Sequence, residues 1–229
     1  MEENIRITAD NITDAWESWY KRLTAQNLNA SSRDGQVIGE VLNAVTMITD
    51  PTRNVLTSNI RKMPVRYAVG ELLWYLSGSN KLEDIKRYSK AWENLSDDGE
   101  TVNSAYGYRI FKQFGFNQWE HVKNLLKADP SSRQAVIHIK DPSCEPTKDL
   151  PCTVCLQYFI REGKLYATTY MRSNDIWLGF PYDVFSFTCL QTLLAMELGV
   201  GLGTYTHIAG SLHCYTRNTG ADKSKLAAV

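Results

Sequence analysis

The chain has 229 residues, of which 43% are hydrophobic, 11% aromatic and 22% charged, the make-up of a globular protein and not of a disordered, collagenous or coiled-coil one. Lys plus Arg and Asp plus Glu each number 25, so the net charge is zero and no bulk basic field marks the chain for nucleic acid. No apolar run is long enough to span a bilayer, and Met1-Glu2-Glu3-Asn4 lacks the basic-then-apolar pattern of a signal peptide.

In chain order, Trp16, Trp19, Tyr20 and Leu23 recur at helical spacing and predict a helix over Ile12–Leu28, with Thr13 and Glu17 as its cap-like signal. Arg33-Asp34-Gly35 reads as a turn. Val37–Ile48, rich in Val, Ile and Thr, reads as a strand. Val65, Ala68, Val69, Leu72, Leu73 and Leu76 give Pro64–Leu76 a helical apolar face. A second helix is expected over Leu82–Trp92, a polar loop over Ser96–Gly107, and a helix over Gln118–Ala128, stopped before Asp129-Pro130. Ala135–Ile139, Cys155–Ile160 and Leu165–Arg172 read as strands, the last two joined at Glu162-Gly163. Phe185–Leu198 is apolar enough for a buried helix, and Gly203–Leu212 closes the series as a strand. There is no repeat, low-complexity block or linker. The pattern predicts one α+β domain over residues 1–229, a mixed or antiparallel sheet core covered by helices.

Five cysteines, an odd number, read as reduced thiols in a cytoplasmic setting. Cys152 follows a polar loop and precedes a strand, so it is either an ionisable nucleophile or inert packing. The Cys152/Cys155 pair has the CxxC spacing, but with no second pair and no surrounding βαβ pattern no metal site is expected. Arg133 and Arg172 stand at strand ends and offer forks suited to phosphate, or to surface ion pairs. His213 and Tyr215 alternate on one strand face and would hold a ligand hydroxyl or each other. Glu71, inside an apolar helical stretch, is either snorkelling or buried for proton handling. Asp175 and Asp183 flank Trp177-Leu178-Gly179-Phe180-Pro181, where Asp183 would cap a helix or serve a site.

Together these segments resemble the thymidylate synthase family, over roughly Arg33–Tyr215. Met171-Arg172-Ser173-Asn174-Asp175 with Leu178-Gly179-Phe180-Pro181 resembles the family's Arg-Ser-x-Asp-x-x-Leu-Gly-x-Pro signature. Pro151-Cys152 with Gln157 resembles its nucleophile segment, and Glu71-Leu72-Leu73-Trp74, Tyr106-Gly107 and Gly210-Ser211-Leu212-His213-Cys214-Tyr215 follow in the expected order. The resemblance implies Cys152 as nucleophile, with Arg172 lowering its pKa and gripping phosphate. Glu71 and Tyr106 would manage protons. Arg33, Arg172 and Ser173, with Arg133 from a partner subunit of an obligate homodimer, would bind the phosphate of a pyrimidine nucleoside monophosphate. His213 and Tyr215 would bind the sugar, Gln157 and Asp175 would join the substrate site, and Trp92, Glu71 and Asp175 would border the co-substrate 5,10-methylenetetrahydrofolate.

The departures from the family pattern carry the finer reading. Synthases that methylate deoxyuridylate typically carry Asn where this chain has Asp183, and His where it has Thr153. These positions are closer to the branch that hydroxymethylates cytidylate, so the expected activity is 5-hydroxymethylation of dCMP or CMP. The alternatives are methylation of dUMP and a catalytically inactive nucleotide- or RNA-binding relative. Gln134 replaces the second Arg of a usual pair, weakening the expected phosphate grip. Family members commonly run further past the segment matching Tyr215 and close the site with that extension; here 14 residues follow Tyr215.

Overall fold

The computed structural model describes residues 5–25, 29–32, 35–142 and 147–218. Helix α1 spans Ile12–Thr24 and buries Ile12, Ala15, Trp16, Trp19 and Leu23. Its cap is Asn11, not Thr13: the Asn11 side chain accepts from the Asp14 amide at 2.9 Å, with Asp14 in the first turn and Lys21 and Arg22 in the last, matching the helix dipole. The helix ends at Thr24, short of the expected Leu28, with Ala25 in extended backbone; residues 26–28 and two of the turn residues, Arg33 and Asp34, lie outside the described residues.

One mixed sheet runs through the molecule. Its strands are β1 (Arg6–Ala9), β2 (Asn29–Ser31), β3 (Val37–Ile48), β4 (Val136–His138), β5 (Thr153–Arg161), β6 (Lys164–Met171), β7 (Asn174–Asp175) and β8 (Gly201–Tyr215). The path is β1-β3-β8-β6-β5-β4, with β2 on β3 and β7 on β8. Pairs β1/β3, β6/β8 and β7/β8 are parallel and the others antiparallel. The β5–β6 hairpin turns at Glu162 and Gly163, both at positive φ, as a tight two-residue connection requires.

The two faces of the sheet differ by the period of two. Leu165, Ala167, Thr169 and Met171 of β6 and Gly203, Tyr205, His207 and Ala209 of β8 are buried. They face helix α6 (Phe180–Leu198), whose Gln191 amide donates to the carbonyls of Leu165 and Gly203. The alternate residues, including Tyr166, Thr168, Tyr170, Thr206 and Ile208, are half-buried. The fold is α+β.

Between residues 64 and 111 the structure departs from expectation in three ways. Helix α2 (Val65–Ser77) buries Ala68, Gly70, Glu71, Trp74 and Tyr75, while Val65, Val69, Leu73 and Leu76 of the expected apolar face are exposed. The aromatic rings, with more area to bury, win the inner face. The expected helix Leu82–Trp92 breaks into α3 (Leu82–Lys86) and a 3₁₀ turn (Lys90–Asn94) because Ser89 caps a new turn by accepting from the Ala91 amide. Helix α4 (Tyr106–Phe111) begins inside the expected polar loop. Gly107 makes this possible, since a Cβ there would sit 1.9 Å from the Tyr75 carbonyl oxygen of α2. Helix α5 (Gln118–Ala128) matches its prediction.

Candidate active site

The nucleophile candidate is placed by the loop before it. Ser104 N–H and the Asn103 side chain donate to Asp149, at its carboxylate and carbonyl respectively. Arg172 Nε and Nη2 donate to the carbonyls of Pro151 and Leu150 at 3.1 and 2.9 Å, and Arg172 N–H donates to Cys152 O at 2.8 Å. The guanidinium therefore braces the segment that carries Cys152. Cys152 is half-buried at the wall of a cavity of about 920 Å³, near the top of the range for small-molecule sites.

Burial pushes the Cys152 thiol up; Arg172 pulls it down, and Asp183 and Asp149 push it up further. The net direction is opposite to the lowering expected from the resemblance, because desolvation outweighs one partly exposed guanidinium. Tyr106 stands beside it, its hydroxyl oxygen accepting from the Thr153 N–H at 3.3 Å. Cys155 lies further along β5, and among the described residues no cluster of three or more His, Cys, Asp or Glu could hold a metal.

Across the cavity, α2 delivers Glu71. The Tyr67 hydroxyl donates to Glu71 Oε1 at 3.0 Å and accepts from Trp92 Nε1 at 3.1 Å. One hydroxyl thus joins the carboxyl to the indole that the resemblance placed at the folate ring. Burial, then the neighbouring Asp183 carboxyl, raise Glu71 to about 8. Asp183 sits in the first turn of α6, which starts at Phe180, five residues earlier than expected, because Pro181 fits the first turn of a helix. The N-cap is Gly179, so Asp183 does not cap. Burial raises it to about 7, while a bond from Asn174 Nδ2 to Oδ2 at 2.7 Å holds it down.

Arg172, Ser173, Asp175, His213 and Tyr215 line the same cavity. Asp175 Oδ1 accepts from the amides of Trp177 and Leu178, whereas its Oδ2 and His213 Nδ1 are buried with no hydrogen-bond partner among the described residues. Buried polar atoms left open in this way are the natural partners of a polar ligand.

Ten of the twelve described residues assigned to the site by sequence therefore meet at one cavity: Cys152, Glu71, Tyr106, Asp183, Arg172, Ser173, Asp175, His213, Tyr215 and Trp92. Gln157 does not. It pairs with Thr168 on the other face of the sheet and donates to the Arg133 carbonyl at 3.1 Å. Its place in the site is implied by the resemblance of the nucleophile segment alone, and alternation along β5 sets it on the face opposite the buried Leu156 and Tyr158. Arg133 is exposed and outside the cavity. Arg33 lies outside the described residues, although its neighbours Ser31 and Ser32 line the cavity. Sequence reasoning missed Tyr67, which has the i, i+4 spacing to Glu71, and Asn174 inside the signature run.

The family model for thymidylate synthase matches residues 3–227. The chain belongs to the thymidylate synthase family. Its relatives include the deoxyuridylate hydroxymethyltransferase of Bacillus phage SP01, 32% identical over 202 residues, covering 82% of this chain and 53% of the relative. The thymidylate synthase of Bacillus atrophaeus is 31% identical over 167 residues, covering 69% and 74%. The solved thermostable thymidylate synthase A from Bacillus subtilis superposes with a TM-score of 0.77 at 25% identity, covering 90% of this chain and 81% of that one. The chain spans about half the length of the phage relative. The family's reaction is one-carbon transfer to a pyrimidine nucleotide, with methylenetetrahydrofolate as co-substrate. Among the described residues no helix is long and apolar enough to cross a membrane.

The Glu71 environment has a consequence for stability. Between about 4.5 and about 8 the folded chain keeps a proton on Glu71 that the unfolded chain has released. Stability therefore falls as pH rises through that window, by an amount on the order of 1–3 kcal/mol. Glu71→Gln, which keeps an acceptor for Tyr67, should raise the melting temperature by several degrees at pH 8 and little at pH 5. Melting below wild type at both pH values would contradict a buried, proton-holding Glu71.

Proposed function

We propose that the chain hydroxymethylates carbon 5 of a cytidine monophosphate, dCMP or CMP, through a covalent Cys152 adduct. The observation that carries the base assignment is Asp183, a buried carboxyl poised near neutrality in the cavity wall. Cytosine presents an amino donor and a bare ring nitrogen. A carboxyl that shares a proton matches both, whereas an ionised one faces the uracil carbonyl with like polarity.

The steps follow from the residues. Pyrimidine carbon 5 is a poor nucleophile. Addition of the Cys152 Sγ to carbon 6 makes it enamine-like, and a proton from Asp183 at the ring nitrogen takes up the displaced charge. Methylenetetrahydrofolate, when bound, supplies the electrophilic methylene that carbon 5 attacks. The large cavity, with Trp92 in its wall and the Trp74 indole N–H buried with no partner among the described residues, fits a flat heteroaromatic co-substrate beside the nucleotide. Tyr106 and the Glu71–Tyr67 pair then handle loss of the carbon 5 proton, and tetrahydrofolate leaves with the electron pair of its bond to the methylene. Water adds to the exocyclic methylene left on the ring, the carbon 5–carbon 6 double bond re-forms and Sγ departs. Arg172 and Ser173, with Arg33, hold phosphate, and His213 and Tyr215 hold the sugar hydroxyl.

A second reading is favoured by the phage relative, whose name specifies deoxyuridylate: hydroxymethylation of that base instead. Tritium released from carbon 5 of labelled cytidylate and of labelled deoxyuridylate separates the two. Assay of the folate product separates hydroxymethylation, which leaves tetrahydrofolate, from methylation, which leaves dihydrofolate. The four described cysteines are unpaired thiols, which supports a reducing, cytoplasmic setting.

We assign Arg133 to the site of a partner in a homodimer. Its side chain is exposed and away from its own cavity, and the half-buried sheet face with Tyr166, Tyr170 and Ile208 supplies a surface on which two copies can pair. A mixed dimer of Arg133→Ala and Cys152→Ser subunits has one site with both defects and one with neither. It should regain up to about half the wild-type activity per dimer. No recovery in verified mixed dimers would place Arg133 in its own subunit's service.

A further inference from the structure

Behind Asp183 lies a chain of buried polar groups. Asn174, on β7, gives its Nδ2 to Asp183 Oδ2 at 2.7 Å, and its Oδ1 lies 3.1 Å from His207 Nε2. His207 Nδ1 is 2.9 Å from the Tyr205 hydroxyl, which is also 2.9 Å from Thr169 Oγ1. These residues are all buried, His207 and Thr169 at 1% exposure and Tyr205 at 0%. The Asn174–Asp183 bond crosses directly over Gly179, where a Cβ would come within 2.9 Å of Asn174 Nδ2 and 3.1 Å of Asp183 Oδ2.

Burial pushes His207 down to about 3, so the ring is neutral and carries one proton. Facing the Asn174 carbonyl oxygen, that proton belongs on Nε2, and Nδ1 lies beside the oxygen of the Tyr205 hydroxyl, which donates to Thr169 Oγ1. Flipping the Asn174 amide would set its N–H₂ against the Nε2–H, so His207 fixes the orientation. With the amide fixed, Asp183 Oδ2 receives an N–H and is an acceptor. When Asp183 holds its own proton, that proton sits on Oδ1, which makes no hydrogen bond within the described residues while the residue lines the cavity.

We propose that Asn174, oriented by His207, is a specificity-determining positioning residue that fixes which oxygen of Asp183 donates to the base and which accepts from it. A carboxyl proton on one oxygen suits cytosine, donating to the ring nitrogen while the other oxygen accepts from the amino group. On the other oxygen it suits uracil, donating to the carbonyl while its neighbour accepts from the ring N–H. The clamp removes that ambiguity. The inference rests on the reading that Asp183 pairs with the base, and its cytosine direction rests on the proposed substrate.

The test is the ratio of kcat/KM for cytidylate over uridylate in Asn174→Ala, His207→Phe and His207→Gln. Asn174→Ala and His207→Phe should each lower the ratio about tenfold or more, although His207 lines no cavity wall. His207→Gln, which retains an N–H for Asn174, should stay near wild type. Equal losses on both bases, or an unmoved ratio in folded variants, would overturn the clamp. A wild-type enzyme that prefers uridylate defeats the cytidylate reading alone, since the clamp still requires the ratio to move. Independently of any variant, nitrogen-15 NMR of the four histidines should show His207 with its proton on Nε2, and a proton on Nδ1 would overturn the orientation argument.

Discussion

Cys152→Ser should abolish exchange of the carbon 5 hydrogen of the nucleotide, by about 10³-fold or more, while nucleotide binding survives. Without Sγ addition at carbon 6, carbon 5 never becomes nucleophilic, so every later step stops. Binding persists because Arg172, Ser173, His213 and Tyr215 remain around the cavity, and serine keeps the size of the side chain. Cys155→Ser is the control. Cys155 pairs with His138 and Tyr170 in the sheet and lies outside the cavity lining, so its loss should be mild. Tritium release from labelled nucleotide, with equilibrium binding alongside, reads both. Near-normal turnover in Cys152→Ser with loss in Cys155→Ser would reverse the assignment.

Asp183→Asn should move preference from cytidylate toward uridylate by about two orders of magnitude in kcat/KM. An amide fixes one donor and one acceptor, which fits the uracil edge, and it cannot take the proton that the Asp183 carboxyl shares with cytosine. The lost charge-assisted pair is worth roughly 2–3 kcal/mol. Removing a buried carboxyl raised to about 7 should also lower Glu71, since Asp183 is one of the groups that push it up. The variant's melting temperature should therefore not fall at pH 8. Whether the product stays hydroxymethyl is set elsewhere, around Trp92 and Glu71, so base choice and product are measured separately.

The sequence carried the parts of this fold that depend on local pattern. Val37–Ile48 is a strand to the residue, and α5 and the β5–β6 hairpin stand where periodicity and Glu162-Gly163 put them. Short elements with irregular starts were illegible. Helix α4 has six residues and opens on Tyr106, after a polar stretch that gives no cap signal. The buried face of α2 was misjudged because Val and Leu mark hydrophobicity but not which side the larger Trp74 and Tyr75 rings claim. At the site, residue types and motif order were enough to name Cys152, Glu71, Asp183 and the polar end, but not the groups that hold them. Asn174 meets Asp183 across nine residues and His207 across 33. Such contacts exist only once β7 lies beside β8 and α6 begins above them. Gln157 matches the nucleophile segment by resemblance, which does not say on which sheet face each residue of that segment lies.

The most direct test of the account is competition among substrates. The protein is incubated with methylenetetrahydrofolate and an equimolar mixture of dCMP, CMP, dUMP and UMP, and the nucleotides are resolved by mass spectrometry. The account predicts that a cytidine monophosphate gains one CH₂O with tetrahydrofolate released, and that the uridylates stay largely unchanged. A methylated uridylate accompanied by dihydrofolate, or a hydroxymethylated uridylate with untouched cytidylates, would contradict it.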